Sequence, residues 1–167
     1  MLTGAVMGGF VEGLAPLMSY QHGAGNAAEK RSLFRRGIAV TVGLGVGMFG
    51  VAQLVASPLA SLFTSYDPEL QHLAAHAFGV YSVAFLLMGF TYFGSSMFTA
   101  VENGRVSAVI SFAHTFVFEI GAVMLLPLVV GVEGIWWAIS VAEIAAGLLT
   151  FAFLTRYGRR YGWLGAH

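Results

Sequence analysis

Three carboxylates, Glu12, Glu119 and Glu143, lie inside long apolar stretches of the chain. An ionisable group within a bilayer is costly, so such groups face a bundle interior or water and by default mark ion and substrate paths. The chemistry open to them is exchange: a carboxylate gives up a proton or a cation as another ligand binds, then regains it. The plain structural alternative is an interhelical hydrogen bond, or a carboxylate near the interface in contact with water. Ser107, Ser111, Thr115 and Glu119 follow one another at steps of four. That spacing predicts one helix face, with His114 beside it. Glu143 shares a small, polar face with Ser140, Gly147 and Thr150. Tyr81, Tyr92, Ser95, Ser96 and Thr99 form an aromatic and hydroxyl face. With Met88 and Phe98 they suit the wall of a cavity for organic molecules, or equally the ordinary packing of membrane helices.

Other patterns carry less. His72 and His76 stand four apart with Glu69 nearby, a spacing that can hold a metal but lacks a convincing third ligand. No metal site is expected. Gly45, Gly47 and Gly50 match a dinucleotide-binding glycine pattern, but inside an apolar stretch with no preceding strand. Close helix packing explains them better, as it does the pairs Gly43 with Gly47, Gly4 with Gly8 and Gly9 with Gly13. The absence of cysteine excludes disulfides, thiol catalysis and thiolate metal sites. No nucleophilic triad or nucleotide motif is present, so an enzyme is not expected.

The elements that must position these residues follow from hydropathy. Only 10% of the 167 residues are charged and 57% are hydrophobic, with a mean hydropathy of +0.79. A soluble domain carries about 25% charged residues, so the bilayer is the expected solvent. The fold class expected is an all-α polytopic membrane bundle forming one membrane domain over residues 1–167. Five spans, each near the ~20 residues a bilayer requires, are read at 2–20, 37–63, 73–99, 106–130 and 135–155. The apolar residues run continuously rather than alternating, which argues against a β-barrel. Formal net charge is zero, so no global field favours nucleic acid as a partner.

The links orient the spans. Lys30, Arg31, Arg35 and Arg36 follow the first, and Arg156, Arg159 and Arg160 follow the fifth. Acidic links carrying Asp67, Glu69 and Glu133 alternate with them. The positive-inside rule then places the basic loop 22–36 and the C-terminus in the cytoplasm of a multi-pass cell (inner) membrane protein. The first span must therefore run inward from Met1. Glu12 weakens it: a central acid costs about 2.5 to 3.5 kcal/mol, against roughly 0.3 to 0.6 gained per Leu, Ile, Phe or Val. Its six such residues barely offset that cost, so this helix is expected to depend on neighbours.

The segment Pro16-Leu17-Met18-Ser19-Tyr20, followed by Gly23-Ala24-Gly25-Asn26 and the basic run, resembles the multidrug and toxic compound extrusion (MATE) family. The stretches LFTSYDPEL, SMFTAVENGRVSAVIS and LLPLVVGVEGIWWAISVAE are similar to that family's later loops, in the same order and spacing. One departure is His114, where the family commonly has Arg. The resemblance implies twelve helices in two six-helix lobes, of which this chain would supply the last five. It implies a secondary antiporter that exports cationic or amphipathic organic compounds in exchange for Na⁺ or H⁺, with no other cofactor. The five-helix piece would be inactive alone, its N-terminal lobe missing. Pro16, Ser19, Tyr20, Gly23 and Ala24 would be structural motif residues, and Glu12, Glu119, Glu143, Tyr92 and His114 the substrate or cation-coupling candidates. The alternative is a complete small membrane protein that works as an oligomer, or as a subunit paired with a separate lobe. The expected partners are the bilayer, that lobe or oligomer partner, and small organic substrates.

Overall fold

The computed structural model describes residues 2–64 and 67–163, so Met1, Ser65 and Tyr66 of the reading above lie outside the described residues. The described chain is helical throughout: α1 (Leu2–Gly23), α2 (Ala27–Thr64), α3 (Pro68–Ser82), α4 (Phe85–Ala100), α5 (Gly104–Phe112), α6 (Ile120–Val130) and α7 (Val132–Tyr161). A π-helical stretch, Ala113–Glu119, joins α5 to α6. The protein is thus an all-α bundle. The helices run past the spans expected at 37–63 and 135–155, because the flanking basic segments continue the helix rather than ending it.

Local chemistry sets the boundaries. At the α1–α2 turn Gly25 takes φ +69°, a left-handed conformation that suits glycine. Asn26 Oδ1 then accepts the Glu29 N–H at 3.1 Å to start α2. Asp67 caps α3 by accepting the N–H groups of Glu69 and Leu70, with Pro68 in the first turn. Asn103 caps α5 through Val106 N–H. α1 continues through Pro16 to Gly23.

By length and composition, four helical stretches can cross a membrane: 27–63, 68–100, 104–130 and 132–161. α1, diluted by Glu12, Pro16 and several glycines, is not among them. Large apolar side chains stand exposed on the outside of the bundle, Leu54, Leu128 and Val129 among them. That is the pattern of a surface solvated by lipid tails.

α4 is the central helix and packs on α1, α2, α5 and α7. The main core lies towards the end where the basic residues gather. There Phe93, Met97 and Phe98 of α4 are fully buried. Trp163 stacks on Phe34 with centroids 4.8 Å apart, and Phe98 meets Tyr157, Tyr161 and Trp163 edge-on. Phe98 therefore belongs to the core and not to the cavity wall suggested for it. At the other end small residues bring α6 and α7 together: Ala122, Ala138 and Ala142 are buried between them.

Candidate functional site

Two cavities meet at Tyr92. The first is a polar cavity of about 490 Å³ between α1, α4 and the α5 arm. Glu12 reaches it from α1, Tyr92, Ser95, Ser96 and Thr99 from α4, and Ser111, His114 and Thr115 from the third wall. The second is an apolar groove of about 760 Å³ between α1, α2, α3 and α4. Phe78, Tyr81, Phe85, Met88 and Tyr92 form its aromatic and thioether side, and Gly43, Met48 and Val55 of α2 face them. Small residues matter here: Gly4 lines both spaces, and a side chain there would narrow both.

The hydroxyl face of α4 meets that of α5. Ser95 Oγ lies 2.9 Å from Ser107 Oγ and 2.8 Å from Ser111 Oγ, and Thr99 Oγ1 donates to Ser107 Oγ at 2.7 Å. The spacing of four on each helix aligns these groups. They satisfy one another, which a membrane interior demands of polar groups.

Behind the cavity wall lies a buried histidine–carboxyl pair. His114 Nε2 is 3.0 Å from Glu143 Oε1. The side chain of Glu143 is 0% exposed and that of His114 11%. Glu143 Oε2 is buried with no hydrogen-bond partner among the described residues. The Tyr92 ring stands edge-on to the imidazole, with centroids 6.2 Å apart. So His114 touches the cavity on one side and an isolated carboxylate on the other. Such a pair can hold a proton or a cation out of contact with water.

The structure thus gathers Glu12, Tyr92 and His114 at one cavity and sets Glu143 directly behind it. Glu119 stands apart. It is half-buried, its side chain makes no hydrogen bond among the described residues, and it lines neither cavity. The step of four leading to it crosses the π-helical stretch, where i→i+5 bonding changes the rotation per residue. His76, considered above as a metal ligand, instead pairs with Glu133 at 3.2 Å, linking α3 to α7 on the surface. Sequence reasoning missed Gln53. Its amide bonds the Gly79 carbonyl and Ser82 Oγ, each at 3.1 Å. The signal was legible: it is the lone side-chain amide in the apolar run 37–63.

Comparison with known proteins adds the family. The MatE family model matches residues 1–125, three quarters of the chain. The chain belongs to the MatE family. Among solved structures, the Vibrio cholerae MATE transporter VcmN in its bent form matches with a TM-score of 0.78 at 22% identity, over 92% of this chain. The chain spans 35% of that transporter's length. Comparison with curated proteins gives no match. MatE proteins are multidrug efflux transporters rather than enzymes, and the apolar helices agree with a multi-pass membrane protein.

Within this MatE chain the motif residues can be placed. Ser19 Oγ donates to the Ala100 carbonyl at 2.9 Å, tying the end of α1 to the end of α4. Gly23 and Ala24 lie at the α1–α2 turn, whose first bond runs from Ala24 N–H to the Tyr20 carbonyl. Pro16 is exposed on α1, and Tyr20 is 71% exposed. Neither side chain lines the two cavities described above.

Proposed function

We propose that this MatE chain forms part of the substrate and coupling-ion path of a secondary antiporter. The cargo is a cationic or amphipathic organic compound, and the exchanged ion is Na⁺ or H⁺. The observation that carries this reading is the shared wall at Tyr92. An apolar, aromatic groove opens beside a polar cavity that holds a carboxylate, Glu12. An organic cation has the same two parts: an apolar body for the groove, and a charge for Glu12 and the face of Tyr92. The His114–Glu143 pair behind the wall is the coupling centre. Loss or gain of a proton or cation there changes the charge at the cavity edge and so the affinity for a cationic cargo.

A central cavity needs walls on all sides for alternating access. The chain spans 35% of VcmN, so the remaining wall comes from further chain, a second lobe or another copy. The basic segment 22–36 and the C-terminal segment face the cytoplasm in this reading, in a cell (inner) membrane, as the positive-inside rule requires.

Binding of ethidium to the chain in lipid nanodiscs tests the site. Saturable binding is expected, competed by protons or Na⁺ and weakened about tenfold by Glu12→Gln, the equivalent of one cation contact of about 1.4 kcal/mol. Signal indistinguishable from empty nanodiscs, or the same affinity in Glu12→Gln and Tyr92→Ala, would sink the proposal.

A further inference from the structure

The apolar stretch 68–100 is long enough to cross the bilayer as one helix, yet it is divided at Val83 and Ala84. Hydrogen bonding tightens there to three-residue steps. Val83 N–H bonds the Val80 carbonyl, Ala84 N–H that of Tyr81, and Leu86 N–H that of Val83, at 3.1 to 3.2 Å. A mid-helix turn of this kind is a common hinge. No glycine or proline occurs between Val80 and Met88, so backbone permissiveness at those residues is not the cause.

Side chains from two other helices enter the ladder instead. Gln53 Nε2 of α2 donates to the Gly79 carbonyl and to Ser82 Oγ, both at 3.1 Å. Ser82 Oγ in turn donates to the Gly79 carbonyl at 2.7 Å. From a third helix, Ser140 Oγ of α7 donates to the Val80 carbonyl at 3.1 Å. α2 also comes close just beyond the break: a Cβ on Gly45 would sit 3.0 Å from the Phe85 carbonyl oxygen. Insertion of side chains into the ladder is an established cause of helix kinks.

The break divides the wall of the apolar groove. Phe78 and Tyr81 precede it; Phe85, Met88 and Tyr92 follow it. The angle between α3 and α4 therefore sets how the two halves of that wall face one another. We propose that Gln53 and Ser140 are positioning residues that clamp this break and so fix the shape of the groove that receives the cargo. The proposal rests on the groove being the substrate wall. Ser140 also stands three residues before Glu143 on the buried face of α7, so the clamp and the histidine–carboxyl pair are carried by one rigid element.

The chain has no cysteine, so paired spin labels can be introduced without background. Labels at Leu73→Cys on α3 and Glu102→Cys just beyond α4 report the end-to-end length of the divided span in lipid nanodiscs. In the parent chain one narrow distance population is expected. Gln53→Leu combined with Ser140→Ala should shift or broaden it, and weaken ethidium binding about tenfold. Gln53→Leu alone, at an exposed position, serves if the double variant loses helix content, and should give the same change in smaller measure. An unchanged distance population overturns the clamp, since the break would then hold without these side chains. A changed distance with unchanged ethidium affinity overturns the positioning role. Failure of the parent chain to bind ethidium would instead sink the substrate-wall reading, and the distances alone would then judge the clamp.

Discussion

Replacing His114 with leucine tests the most exposed physical claim of this structure, that Glu143 depends on a single partner. The carboxylate is wholly buried, and only its Oε1 is engaged, by His114 Nε2 at 3.0 Å. Removing one member of a buried pair costs about 3 to 5 kcal/mol, because the other charge is left uncompensated. Replacing both members with apolar residues of similar volume is commonly near neutral, or stabilising by about 1 to 4 kcal/mol. The double variant His114→Leu/Glu143→Leu is therefore expected to be more stable than His114→Leu alone, with a coupling energy on the order of 3 kcal/mol in a double-mutant cycle. The assay is equilibrium unfolding in mixed micelles with increasing denaturing detergent, followed by tryptophan fluorescence and helix content. Two results would refute the reasoning: a cost below about 1 kcal/mol for His114→Leu, or strict additivity of the two single changes. Either would mean that the pair is neutral or hydrated and cannot store charge at the cavity edge.

Ser19→Ala should cost about 1 kcal/mol in the same assay, the net worth of one hydrogen bond, by freeing the Ala100 carbonyl. A cost within error of zero would show that the α1–α4 tie is made by packing alone. Gly134→Ala should be destabilising by about 1 to 3 kcal/mol, because its Cβ would lie 2.5 Å from the Leu126 carbonyl oxygen where α6 meets α7; a neutral result would mean that these helices separate freely. Ser107→Val removes the hydroxyl that joins Ser95 to Thr99, and should lose about 1 to 3 kcal/mol while Ser107→Thr loses less. Equal losses in the two variants would count against the hydroxyl network.

Much was legible along the chain. Continuous apolar runs, sparse charge and basic links at alternate ends describe a polytopic helical protein, because hydropathy is a sum over neighbours in sequence and needs no tertiary contact. The family motif at 16–24 is local in the same sense. Glu12, Glu143 and His114 were also recognisable one by one, since an ionisable group in an apolar run is conspicuous wherever it points. Their relations were not. His114 and Glu143 stand 29 residues apart on different helices, and nothing in either local pattern names the other. Phe98 and Tyr92 share one helix in sequence, yet Phe98 is buried in the aromatic core and Tyr92 stands between two cavities.

Two departures from regular helix account for the rest. The π-helical stretch at Ala113–Glu119 and the tight turn at Val83–Ala84 both lie in apolar sequence that reads as uninterrupted span. A period of 3.6 residues is a property of a regular helix, and the local pattern of apolar residues marks neither departure from it. Composition and period therefore decided the solvent, the helices and the residues able to carry charge. Packing between helices decided which of those residues meet, because in a bilayer polar groups must find their partners inside the protein.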